Sequence, residues 1–246
     1  MIFLFPKKKI VLDCFTDQEH VIQTAPIAEA TKHLPDWWKQ LPSTYLITNT
    51  HIQFPSSTMK YCAGLIDYYK YSVAIPLWSD LLLKVKGTAF AWQFADSTSE
   101  IETHDISQQA TGLFNNHGHI KITNPWKLRT KENINWVWSY PLYGFSEENA
   151  DIKVAPGSLN FSKQPGANIN MFIPLNQEKS YMLKHGQVLA HLTPMTDKKI
   201  KIVRHLIDKK EMDRMKFPVT TFDNQYRNVL KQKEKFADCP YHKETK

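Results

Sequence analysis

Three histidines and an aspartate near the middle of the chain are candidate metal ligands. His104 and Asp105 are adjacent, and His117 and His119 flank a glycine. Side chains two residues apart on a strand point to the same face, so His117 and His119 could bind one metal ion. With His104 and Asp105 on a facing strand, the set would suit iron or zinc in a jelly-roll oxygenase or a cupin-like enzyme.

The same histidines also have a simpler interpretation. His117 and His119 follow Asn115 and Asn116, a context that favours a turn with solvated imidazole rings. No later histidine followed by arginine stands in register to complete a metal site, although His185 and His191 are available. The metal site is therefore an alternative, and a cofactor, iron or zinc, is expected only under it.

Tryptophans form the second set of candidate residues. Trp136 and Trp138 point to the same face of a predicted strand, with Trp126 a few residues upstream. Such a group either fills a core layer or lines the aromatic wall of a binding pocket that includes His119. One buried aromatic face per sheet is the ordinary arrangement, which favours the core, and both interpretations stay open.

The remaining motifs indicate no catalytic machinery. Cys14, Cys62 and Cys239 are odd in number and lack paired spacing, which predicts a reducing compartment and no disulfide framework. Cys239 and His242 have a Cys-x-x-His spacing but no second ligand pair. Phosphate-binding glycine loops, a serine nucleophile elbow and internal repeats are absent from the sequence, so no catalytic residue is assigned.

Composition limits the class of protein. The chain has 246 residues, of which 42% are hydrophobic, and a formal net charge of +7. A basic balance admits a nucleic-acid partner, but the lysines are dispersed or interleaved with acids, which favours a solvated surface. No apolar run approaches the roughly 18 residues of a membrane span, and lysines follow the short apolar start, the wrong order for a secretory signal. We expect no membrane association and no secretion.

Residues 155–196 carry the clearest structural signal. Short apolar or alternating segments are separated by Pro-Gly, Gln-Pro-Gly and His-Gly steps. The segments at 158–161, 168–175 and 187–192 are predicted strands, and a polar loop is predicted between the last two. This punctuation predicts a mainly β fold, an antiparallel β-sandwich of jelly-roll or β-clip type.

The N-terminal half supplies further strands and short helices. Residues 80–94 predict a hairpin around Gly87, and short helices are predicted near 35–41 and 63–69. A single β-sandwich domain is expected over residues 1–220, with a C-terminal helix and a basic tail over 221–246.

Several short motifs resemble an uncharacterised family encoded by marine tailed bacteriophages of the T4-like cyanophage type. They are Pro-Asp-Trp-Trp-Lys at 35–39, Lys-x-Cys-x-Gly at 60–64, Asn-Pro-Trp at 124–126 and Gly-Gln-Val-Leu-Ala at 186–190. The resemblance covers the chain up to about residue 195. It implies a viral origin and carries no established activity.

The closing strands are also similar to those of dUTPases and dCTP deaminases, which have a β-clip fold. The matching segments are 157–161, 168–176 and 185–192. Those enzymes use a carboxylate on a water and a basic residue after the late glycine, whereas Asn160 and Gln187 stand at these places here. An amide cannot act as a base, so the resemblance implies the shape and not the hydrolysis.

Two functions of different class follow. The first is a non-enzymatic phage protein, a binding or virion-associated structural module that forms a homo-oligomer or binds another phage or host protein. It would act in the host cytoplasm or in the virion. The second is the metal-dependent jelly-roll oxygenase or cupin-like enzyme with His104, Asp105, His117 and His119 as ligands.

Overall fold

A computed structural model describes residues 9–49, 52–104, 115–141 and 146–215, and strands dominate it. The strands are β1 Ile10–Thr16, β2 Ala28–Glu29, β3 Thr44–Asn49, β4 Ile52–Ser57, β5 Val73–Pro76, β6 Leu81–Gly87, β7 Ala89–Phe94, β8 Ile101–His104, β9 His117–Ile122, β10 Lys127–Arg129, β11 Trp136–Ser139, β12 Lys153–Val154, β13 Gly157–Leu159, β14 Ile169–Pro174, β15 Gln177–Leu183, β16 Val188–Pro194 and β17 Ile200–Leu206. The α-helices are α1 Glu19–Thr24, α2 Asp36–Gln40, α3 Ala63–Lys70 and α4 Lys209–Met215. Short 3₁₀ turns occur at Ala30–His33, Met59–Tyr61 and Glu147–Asn149.

The strands form several sheets. A five-stranded sheet has the order β13-β11-β16-β5-β2, and a four-stranded sheet has the order β12-β14-β9-β8. Two three-stranded sheets, β15-β6-β7 and β10-β1-β17, and the two-stranded sheet β3-β4 complete the set. Within the described residues every pairing is antiparallel except that of β1 with β17. The predicted mainly β, largely antiparallel architecture with a few short helices is confirmed.

Burial alternates along the strands as the sequence pattern predicts. In β14 every second side chain is buried, and β9 beside it has the complementary pattern, with Ile120 and Ile122 inside. The predicted hairpin is present as β6 and β7, with Leu81, Leu83 and Val85 buried. One hydrophobic cluster contains these side chains together with residues from Ile10 to Leu192, so both halves of the chain share a core.

Two parts of the fold differ from expectation. The segment predicted as a polar loop after residue 175 is β15, which pairs along its full length with β6, so backbone pairing outweighs its polar composition. The N-terminal segment, whose short β-prone apolar runs could form an edge strand, is instead the middle strand β1, buried on both faces between β10 and β17. The C-terminal helix and tail predicted for 221–246 lie outside the described residues.

Among the residues described, no helix has the length and apolar content needed to cross a membrane.

Candidate functional site

The histidines proposed as metal ligands lie on neighbouring strands. His104 ends β8 directly opposite His119 in β9, and their rings stack with centroids 4.4 Å apart. His119 Nε2 is 3.2 Å from Asn170 Oδ1 on β14, and burial together with the nearby His104 lowers the pKa of His119. His117 lies on the same face of β9 as His119, as predicted. The structure therefore brings three of the four predicted ligands to one side of one sheet.

The fourth predicted ligand, Asp105, lies outside the described residues. Within the parts of the chain that are described, no group of three or more His, Cys, Asp or Glu side chains is arranged to hold a metal ion. The metal site stays a prediction.

The three tryptophans are core residues. Trp126 and Trp136 have no exposed surface, Trp138 is 3% exposed, and all three belong to the main hydrophobic cluster. Trp136 packs against Phe161 with ring centroids 5.8 Å apart. Their rings contact the protein's own side chains, as the core interpretation of the sequence expects, and they offer a ligand almost no surface.

The two amides noted in the β-clip comparison have different surroundings. Asn160 donates through Nδ2 to Asn133 and Asn135, and its Oδ1 accepts from Ser162, so it holds a turn together. Gln187 instead lines a cleft of about 390 Å³. No sequence motif predicted this cleft.

The cleft lies where the Ala30–His33 turn, the start of α2, helix α3 and the start of β16 meet. Its lining residues are Lys32, His33, Leu34, Pro35, Asp36, Lys39, Tyr69, Pro141, Gly186, Gln187, Val188 and His191. Leu34 precedes a proline and is extended, which ends the 3₁₀ turn and directs the chain across the cleft. Gly186 has φ +81°, a conformation that suits glycine, and the carboxylate of Asp80 accepts from the backbone N–H of His185 beside it.

His191 forms the floor of the cleft. It lies in β16, is 2% exposed, and contacts the rings of Tyr68 and Tyr69 edge to face. Its Nδ1 is 2.8 Å from the Tyr68 hydroxyl, which lies 3.0 Å from Ser139 Oγ. Burial, together with His33, lowers the pKa of His191 to about 4, so the imidazole is neutral near pH 7.

Two nitrogen atoms at the cleft have no partner. His191 Nε2 and Gln187 Nε2 are both buried and make no hydrogen bond within the described part of the structure. Gln187 Oε1 accepts from the backbone N–H of Lys184, so the unpartnered atom is the amide nitrogen. Buried polar groups are usually paired in native proteins, so two unpaired nitrogen atoms at one cleft make it a candidate binding site.

Lysines lie at the rim of the cleft. Lys32 Nζ is 3.0 Å from a Glu29 carboxylate oxygen, and Lys39 Nζ is 2.8 Å from Asp36 Oδ1. These side chains are exposed, and exposed pairs of this kind contribute little to stability. Burial lowers the pKa of His33, and the positive charges of the two lysines lower it further. The rim therefore carries cations that are only weakly held by their present partners.

Sequence reasoning noticed His191 only as an available histidine. Its partner Tyr68 lies 123 residues earlier, in α3, and the pairing arises because β16 crosses beneath that helix. One signal was present in the sequence, namely a histidine inside the apolar strand segment 188–192. Buried histidines are less common than exposed ones, so this position alone could have identified His191 as a candidate site residue.

A second feature is an exposed β-ribbon, formed by β3 and β4 and called the arm below. Tyr45 is 50%, Leu46 63% and Phe54 46% exposed. Tyr45 and Leu46 are consecutive and point to opposite faces, so both faces of the arm are exposed. The sequence from residue 41 to 59 contains no Asp, Glu, Lys or Arg.

The base of the arm is held to the body by backbone carbonyls. Thr58 Oγ1 donates to Pro42 O at 2.6 Å, and Lys60 Nζ donates to Lys39 O and Leu41 O. The arm therefore projects from an anchored base immediately after helix α2. Within α2, Trp38 is buried whereas Trp37 is exposed, because adjacent side chains on a helix point in different directions.

Comparison of the chain with models of protein families, with curated proteins and with solved structures found no match.

Proposed function

We propose that this chain is a non-enzymatic assembly module of a bacteriophage and that it associates with a second copy of itself through the arm. The observation that carries the proposal is the exposure of Tyr45, Leu46 and Phe54 on an uncharged two-stranded ribbon. The resemblance of several sequence motifs to tailed-phage proteins supports the viral setting.

A ribbon of this kind needs a partner surface. An isolated two-stranded hairpin is marginally stable in water and gains stability when it packs on another element. Soluble proteins seldom leave contiguous apolar surface uncovered unless it binds something. Met59, Tyr61 and Ile66 are also exposed and follow the arm closely in sequence.

Charge favours a second copy as the occupant. The chain has a formal net charge of +7, so two copies repel each other on balance. The arm lacks charged side chains, and it can meet another arm without that repulsion. An edge strand without lysine is also open to strand addition, and β3 contains no proline, whereas β4 contains Pro55. Pairing of β3 with β3 of a second copy gives a two-fold symmetric contact in which each residue has a reciprocal partner.

Sedimentation velocity of the full chain tests the proposal. The double variant Tyr45→Lys and Leu46→Lys places charge on both faces of the arm, so we expect a dimeric chain to become monomeric. Met195→Lys is the matched control, because Met195 is 65% exposed and lies outside the arm. A wild-type chain that is monomeric at about 100 μM, far above the Kd of a specific complex, would overturn the proposal.

A metal-dependent oxygenase is the second candidate, favoured by the stacked rings of His104 and His119. Metal analysis of the purified full chain distinguishes the two. Stoichiometric iron that is lost together with oxygenase activity in the variant His117→Ala, His119→Ala would replace the assembly proposal. Metal-free protein detected in purified phage particles would exclude the oxygenase.

A further inference from the structure

We propose that the cleft above His191 binds a small organic anion, whose carboxylate or phosphate oxygens accept hydrogen bonds from His191 Nε2 and Gln187 Nε2. This site is separate from the arm and does not depend on self-association. The proposal rests on the two unpartnered nitrogen atoms, on the cations at the rim and on the apolar walls between them.

Hydrogen bonding around Tyr68 determines the role of His191. The Tyr68 hydroxyl has three possible acceptors in reach, His191 Nδ1 at 2.8 Å, Ser139 Oγ at 3.0 Å and the carbonyl of Tyr140 at 3.4 Å, and His191 Nδ1 is the nearest. Donation to the nearest atom leaves the hydroxyl oxygen to accept from Ser139 Oγ at 3.0 Å. A neutral imidazole then carries its proton on Nε2. Tyr68 does not line the cleft, so Nε2 is the polar atom of His191 that is left for a ligand.

Gln187 presents a donor beside it. Because its Oε1 already accepts from the Lys184 N–H at 3.2 Å, both hydrogens of Nε2 remain for a ligand. The unpaired polar atoms at the cleft are thus both donors, and the complementary ligand must bring acceptors. An anionic oxygen is the strongest acceptor, since hydrogen bonds to charged groups are about twice as strong as neutral ones.

The rim and walls narrow the ligand class further. The lining residues include two lysines, Lys32 and Lys39, and one carboxylate, Asp36, whose exposed pair with Lys39 at 2.8 Å is weak, so positive charge exceeds negative charge among them. Leu34, Pro35, Pro141 and Val188 provide apolar contact surface, and Tyr69 an aromatic ring. A volume of about 390 Å³ lies in the range of small-molecule sites. A ring or short hydrocarbon carrying one anionic group fits these features.

NMR titration of the full chain with three probes tests the proposal. Benzoate and phenyl phosphate carry the two anionic groups on the same ring, and benzamide is the neutral analogue. We expect either anion to shift the imidazole signals of His191, assigned with the variant His191→Gln, and benzamide to leave them unchanged. The anion with the tighter binding identifies the group as carboxylate or phosphate. Absence of any His191 shift with both anions at millimolar concentration would overturn the proposal.

Two variants that each add one negative charge distinguish an effect on anion binding from an effect on folding. Gln187→Glu keeps an oxygen for the Lys184 N–H and replaces the donor by a negative acceptor, so anion affinity should fall at least about tenfold. Gln93→Glu makes the same change on exposed β7 and should leave the affinity unaltered. Equal affinity of the two variants, with unchanged circular dichroism, would contradict the assignment.

Discussion

Acid should destabilise this protein, because folding buries His191 in its neutral form. In the folded protein, burial and, to a smaller extent, the nearby His33 lower the pKa of the His191 imidazole from its ordinary value of 6.5 to about 4. The unfolded chain therefore binds more protons than the folded chain between these two values, so stability is complete above pH 6.5 and is lost as pH falls toward 4. Between about pH 7 and about pH 5, the loss assigned to His191 is about 2 kcal/mol.

Urea denaturation at the two pH values, in a buffer without phosphate or carboxylate, measures this loss. The variant His191→Gln removes the titrating group and keeps a neutral hydrogen-bonding side chain next to Tyr68. It should shrink the difference in unfolding free energy between about pH 7 and about pH 5 by about 2 kcal/mol. His33, whose pKa is also lowered, contributes in the same direction and is present in both proteins.

The substitution His20→Gln, on an exposed position of α1, controls for loss of a histidine elsewhere. It should leave the pH dependence as in the wild type. If His191→Gln retains the full pH dependence, the imidazole of His191 is not the group that resists protonation, and the description of a buried, neutral histidine at the cleft is wrong.

Two pairs of substitutions test the packing. A methyl group added at Gly118 would lie 2.6 Å from the Phe90 ring, so Gly118→Ala should lower the free energy of unfolding by about 1–3 kcal/mol. Gly64 in α3 has open space around it, so Gly64→Ala should raise the free energy of unfolding by up to about 1 kcal/mol. Trp136→Ala should cost about 3–5 kcal/mol, because the ring is fully buried, and the exposed Trp37→Ala about 1 kcal/mol or less. Urea melts of the four variants check both pairs, and equal losses within either pair would contradict the assigned burial.

Local sequence patterns predicted much of the β architecture. Alternation of apolar and polar residues identified β14 and the β6–β7 hairpin, because every second side chain of a half-buried strand must leave water. The short helix predicted near 35–41 is present as α2, which begins directly after Pro35, since proline is tolerated at the beginning of a helix. The pattern failed at β15, where polar residues predominate and only the neighbouring strand shows that the segment pairs.

The candidate site was far less predictable than the strands. His104 and His119 were expected together because a two-residue spacing and strand pairing are local properties. The cleft was not expected, because it is built from four separate parts of the chain and depends on which helix lies above β16. Tyr68 and His191 have no pattern that links them in sequence.

Local sequence properties account for the mainly β class, for several strands and turns, and for the absence of Asp, Glu, Lys and Arg from residues 41–59. These properties depend on neighbouring residues and on burial of one strand face, so they can be read locally. Three features became evident in the folded chain alone: the segment forms an arm exposed on both faces, the tryptophans lie in the core, and His191 keeps an unpaired nitrogen at a cleft. Those outcomes depend on contacts between distant segments, which local patterns do not encode.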